Sequence, residues 1–155
     1  MTEVLFRQVI LFELKMTPGP IWRRALDYVQ GPRLLRIQVT DSAGKPASPK
    51  WGTAGNLCEP DGSPTNPPKD ALLLCCRAPM GALIGKLGGS SADQPDTSPN
   101  APPYGNKKVF AVGTYCVIAL AKDDSGPLFL TKNEVLDSFK DDMGSLWILI
   151  EEATT

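Results

Sequence analysis

Glycine and proline interrupt this chain too often for long helices. There are 14 glycines and 15 prolines, nearly a fifth of 155 residues. Proline removes a backbone donor and clashes with the preceding helical turn, and glycine weakens a helix interior. Many short strands joined by turns tolerate this density, and 42% hydrophobic residues suffice for a substantial core. The apolar runs sit between the breakers. Residues 3–15, rich in β-branched and aromatic side chains, read as a strand, and residues 21–29 fit either strand or helix. Residues 34–39 alternate as a strand does. Further strands are expected at 71–77, 81–88, 109–112, 115–120, 127–130 and 146–150. About eight short strands with turn-punctuated spacing predict an all-β fold, an antiparallel jelly-roll β-sandwich forming one domain over 1–155. Two long loops interrupt it. Residues 41–70 carry six prolines around Trp51, and residues 89–106 are poor in apolar residues and expected to be mobile.

The chain contains no histidine. That removes Ser/His/Asp and Cys/His catalysis, histidine-containing zinc sites and imidazole-based pH sensing. Sixteen basic and seventeen acidic residues give a net charge of −1, with no basic excess to neutralise a phosphate backbone, so nucleic acid is not an expected partner. No apolar run approaches the roughly 20 residues of a membrane span. Glu3 and Arg7 interrupt the N-terminal apolar stretch, so it does not read as a signal peptide. A cytoplasmic location is expected, with exit by lysis or a route without a signal. Cys58, Cys75, Cys76 and Cys116 form no C-x-x-C pair and read as reduced, small apolar side chains, with a Cys58–Cys75 or Cys58–Cys76 disulfide as the alternative.

Residues 133–145 stand out chemically. Glu134, Asp137, Asp141 and Asp142 lie there with Asn133 and Ser138. A hard cation such as Ca²⁺ takes six to eight oxygens from carboxylates, carbonyls and water, and Glu134, Asp141, Asp142 and a carbonyl near Ser138 match that requirement. The spacing is not that of an EF-hand. The same segment also reads as a solvated acidic loop or a helical turn, with Lys132, Lys140 and the acids facing water.

Three groups of residues carry a family likeness. The first is Lys50-Trp51-Gly52 followed by Gly55 and Pro60-Asp61. The second is Gly81-Ala82-Leu83-Ile84-Gly85-Lys86-Leu87-Gly88, then Phe110 and Val112-Gly113. The third is Gly126, Leu128, Leu130 and Asn133-Glu134-Val135, running to Gly144-Ser145 and a final strand. In order and spacing the chain resembles, over about residues 31–152, the bacterial PA-IL (LecA-type) galactose-binding lectins. The resemblance implies a galactose-binding-domain-like sandwich, no enzymatic activity, and one Ca²⁺ at the tip that coordinates sugar hydroxyls. It places the metal ligands at Glu134, the Ser138 carbonyl, Asp141 and Asp142, with a further carbonyl near Lys45. It places the sugar approach at Glu59, Asp61, Gly62, Trp51 and Val135. The partner implied is a carbohydrate, a galactoside or another glycan, and a homo-oligomer is compatible with it. The family's sugar-gripping His and Gln fall on Glu59 and Gly62 here, and its metal-binding Asp and two Asn fall on Glu134, Asp141 and Asp142. These exchanges weigh against galactose in particular. A second reading keeps the sandwich as an interaction module with a decayed sugar site.

Remaining features read more simply. Trp51 suits either a sugar-stacking platform or an anchor for the long loop, and Trp22 and Trp147 read as core. Gly81-x-x-x-Gly85-Lys86 lacks the full phosphate-loop pattern. Glu59 and Asp61 would suit a glycosidase pair, but a short loop provides no cleft for one.

Overall fold

Strand formation follows the alternation of the sequence. In Arg33–Thr40 (β3), Leu35, Ile37 and Val39 are buried while Leu34, Arg36 and Gln38 point away from the core. The structure is a computed structural model and describes residues 4–16, 21–53, 56–63, 73–75, 78–88, 108–134 and 142–153. Its other strands are β1 (Arg7–Lys15), β2 (Arg23–Gln30), β4 (Trp51–Thr53), β5 (Asn56–Cys58), β6 (Leu83–Leu87), β7 (Lys108–Ala111), β8 (Tyr115–Leu120), β9 (Ser125–Lys132), β10 (Asp142–Met143) and β11 (Ser145–Ala153). Every pairing is antiparallel. One sheet runs β1-β11-β3-β8, the other β2-β9-β6-β7, and β10-β4-β5 form a small third sheet.

The two large sheets bury one core between them. Leu35, Ile37, Leu146, Ile148 and Ile150 come from the first sheet. Leu83, Leu128 and Leu130 come from the second, and Trp51 closes one end. This is the antiparallel β-sandwich expected from the sequence. Burying such side chains contributes roughly 1.5–3 kcal/mol each against exposure, the main force holding the layers together.

A second apolar cluster covers the outer face of the β2-β9-β6-β7 sheet. Trp22, Ile84 and Phe129 pack there beneath Leu74, Cys75 and Ala78. Lys86 is fully buried in the same layer, its ammonium 4.8 Å from the centroids of both the Trp22 and Phe129 rings. Cation–π attraction offsets part of the cost of burying that charge. Lys86 is thus interior and not part of a phosphate-binding loop.

Several expectations change. Of residues 21–29, those from Arg23 on form strand β2. Of residues 71–77, the described part, 73–75, forms no strand and instead supplies Leu74 and Cys75 to the outer cluster. The 41–70 segment contains two three-residue strands, β4 and β5. Trp22 is core, as read, but Trp147 is only half-buried, because β11 points it to the outer face of its sheet. Among the described residues no disulfide joins Cys58, Cys75 or Cys116, so Cys58 is not bonded to Cys75. Residues 89–106 lie outside the described residues. No helix among the described residues is long and apolar enough to cross a membrane.

Candidate carbohydrate-binding tip

One end of the sandwich gathers residues 58–63, 78–82 and 132–134. Asn133 ties them together. It is fully buried, its Oδ1 accepts the Cys75 N–H at 2.9 Å, and its Nδ2 donates to the carbonyls of Cys75, Ala78 and Pro79 at 2.8, 3.0 and 3.1 Å. Its backbone exchanges bonds with Ala82 and Gly81 at 2.8 and 2.7 Å. A buried amide this fully engaged fixes the path of the 73–82 segment, because each lost bond would strand a buried carbonyl. Gly81 is the joint. It sits at φ +85°, and an added Cβ would lie 2.5 Å from the Cys58 sulfur. No other residue type fits where these three segments meet.

Trp51 is fully buried, and its indole N–H donates to the Gly81 carbonyl at 2.9 Å. A ring without exposed surface offers nothing for a sugar to stack on. Trp51 is the anchor of the 41–63 segment, which corrects its expected place in the ligand approach. The turn beyond it is closed by Gly62 N–H to Glu59 carbonyl (2.9 Å) and Ser63 N–H to Met80 carbonyl (2.7 Å). Glu59 and Asp61 are exposed. Gly62 adopts φ +104° with Pro79 Cβ 2.6 Å from a hypothetical Cβ, so this position supplies only backbone to any ligand.

Asp61 reaches across to the β7–β8 turn. Its Oδ1 accepts the Thr114 N–H at 2.7 Å and the Thr114 hydroxyl at 3.0 Å. This clamp borders a shallow concavity of about 700 Å³ lined by Gln38, Pro46, Ser48, Asp61, Thr114 and Tyr115 among others. Tyr115 leaves 56% of its surface exposed there. The wall from Pro46 to Ser48 lies against β3, through the Thr40–Pro46 bridge and the Ala47 N–H to Val39 carbonyl bond. Sequence reasoning passed over this group because Gln38, Ser48, Thr114 and Tyr115 are scattered along the chain and form no motif.

Lys45 lies on that same loop, away from the Asn133 joint. Its N–H donates to Asp41 Oδ1 at 3.0 Å and its carbonyl accepts the Asp41 N–H at 2.8 Å. Its carbonyl thus closes a turn of the 41–45 segment. The N–H of Lys45, then that of Ala43 and the Lys45 charge, hold the Asp41 carboxyl below its ordinary range against a smaller opposing effect of burial.

The expected metal ligands are represented here chiefly by Glu134. Val135, Ser138 and Asp141 lie outside the described residues, and Asp142 is described through its backbone, paired with Thr53. Glu134 and Lys132 are both buried, and the Lys132 ammonium binds the Glu134 carboxylate directly. Lys132 was expected to face solvent, but the pairing of β9 with β6 turns it under Gly81. A Ca²⁺ on the same carboxylate would stand within about 5 Å of that ammonium, with a repulsion of roughly 7 kcal/mol at an effective dielectric near 20. No three His, Cys, Asp or Glu residues come together as a metal group among the described residues. Among the described residues, then, the Glu134 side chain alone stands for the expected ligand set, and its carboxylate is engaged by Lys132.

No family model matches the chain, and no curated protein matches it. Among solved structures it is similar to one described as the EclA N-terminal domain, a PllA-like lectin. The identity is 15% and the TM-score 0.52, over 96% of this chain and 98% of that chain. The chain therefore shares the fold of a PllA-like lectin domain along nearly its whole length.

Proposed function

We infer that this chain is a carbohydrate-binding, non-enzymatic domain of the lectin type. One observation carries the reading: an exposed tyrosine stands among planar and hydroxylated polar groups in an open concavity on a lectin fold. The ring of Tyr115 suits the C–H face of a pyranose, and its phenol remains a polar handle. Gln38 offers both a donor and an acceptor to sugar hydroxyls. Asp61 has acceptor capacity beyond its bonds to Thr114, since an ionised carboxylate offers about four lone-pair sites. The volume falls within the range typical of small-ligand sites, roughly 300–1,000 Å³. A glycan array followed by calorimetric titration of the strongest hit is the test. Binding retained by Tyr115→Ala would remove this concavity as the site, and an array without hits would remove the lectin reading.

The ion pair of Lys132 with Glu134 favours a second reading, a lectin-fold interaction module whose sugar site has decayed. The neighbouring outward residues Tyr115 and Val117, both exposed on β8, would then form part of a protein contact. An array without hits, together with a protein larger than a monomer by light scattering, would support it.

A further inference from the structure

We propose that the Lys132 ammonium is the resident cation of the Asn133–Glu134 tip, so that the fold requires no divalent metal. Only the choice of calcium as probe rests on the lectin-type reading.

Lys132 is 2% exposed and Glu134 is 7% exposed, at the end of β9 where the chain leaves the sheet. Two charges are retained at such a depth only when each is compensated, and their direct contact supplies part of that compensation. The lysine stem is held in place as well. Lys132 pairs with Leu83 across the β6–β9 ladder, and its Cε lies 3.9 Å from where a Cβ on Gly81 would sit. Swinging the ammonium out to admit a metal would break the contacts of a side chain packed beside Asn133, the most heavily hydrogen-bonded side chain of the tip. A bound Ca²⁺ usually gathers carboxylates and fixes the loops that carry them. Here the Glu134 carbonyl accepts the Leu74 N–H at 3.2 Å while its carboxylate meets Lys132, so one residue joins the 73–75 segment to an internal positive charge.

The test uses the full chain and the metal alone. Calcium at about 5 mM exceeds the roughly 10⁻³ M dissociation constants of the weakest protein calcium sites. Thermal midpoints in calcium and in EDTA should agree within about 1 °C, and calorimetry should show no calcium heat. A metal bound with a dissociation constant of about 10⁻³ M would instead raise the midpoint by about 3 °C, and a tighter one by more. A rise of that size in the unmodified protein, or a fall in EDTA, would overturn the proposal. Lys132→Met removes the ammonium from beside the buried Glu134 carboxylate and should lower the midpoint in EDTA by about 5 °C or more. A folded Lys132→Met as stable as the unmodified protein would overturn the claim that the ammonium is the cation that neutralises the tip. If Lys132→Met does not fold, the calcium titration of the unmodified protein decides alone. None of these readouts involves a sugar, so an array without hits leaves them standing, and calcium binding would leave the lectin reading intact.

Discussion

The indole of Trp51 and the carbonyl of Gly81 meet at 2.9 Å inside the sandwich, thirty residues apart in sequence. This bond fastens the 41–63 segment to the joint that also receives Cys58 and Lys132. Trp51→Ala should cost about 3–5 kcal/mol, the range for removing a fully buried large aromatic, or roughly 10 °C of melting temperature at this chain length. Trp51→Phe should cost less than Trp51→Ala, since it keeps much of the packing and loses the bond. Equal midpoints for the two variants would show that packing is not what the ring contributes.

Gly62→Gln tests whether the tip can carry the side chain that the lectin resemblance places there. The backbone sits at φ +104° and a Cβ would lie 2.6 Å from Pro79 Cβ. The variant should lose about 2–3 kcal/mol from a strained conformation and a forced shift of Pro79, read by urea unfolding. Full stability would mean that the 59–63 turn adapts at little cost.

Tyr115→Ala should leave stability within about 0.5 kcal/mol, because the residue is exposed. It should weaken glycan binding by about tenfold or more, the scale of losing an aromatic contact of about 1.5 kcal/mol. Asp61→Ala should lower both stability and binding, since it also releases the β7–β8 turn. Parallel melting and binding curves for the two variants separate recognition from support.

Asp41 makes an acid-limb prediction. Its carboxyl is held below the ordinary value of 3.8, chiefly by the Lys45 N–H. A depressed folded-state value stabilises the fold above the unfolded value, and that contribution is lost as pH falls through the folded one. Between about pH 5 and pH 3, near the unperturbed carboxylate range, the melting temperature of Asp41→Ala should therefore fall less steeply than that of the unmodified protein. Identical slopes would remove the turn's role.

The sandwich was legible because its strands are long and alternate. Leu35, Ile37 and Val39 show their face directly, and Gly126 and Gly144 sit at strand boundaries. Trp51 was legible only as two alternatives, since a tryptophan among prolines suits an anchor or a platform equally well. The 73–75 segment was misread because an apolar run buried as coil has the same composition as a strand. Lys86 and Lys132 were illegible for a different reason. Lysine is normally exposed, and its burial depends on partners from Trp22, Phe129 and Glu134 that only the folded sheet brings near.

The small third sheet has one more consequence. Met143 pairs with Gly52 and Asp142 with Thr53, while Glu134 is held at the other side by the Lys132 ammonium and the Leu74 N–H. These two posts are fastened through different parts of the fold, one to the small third sheet and one at the end of β9 in a large sheet. A substitution that loosens one post therefore acts on a separate set of contacts from the other, so damage to the tip is divided between two independent fastenings.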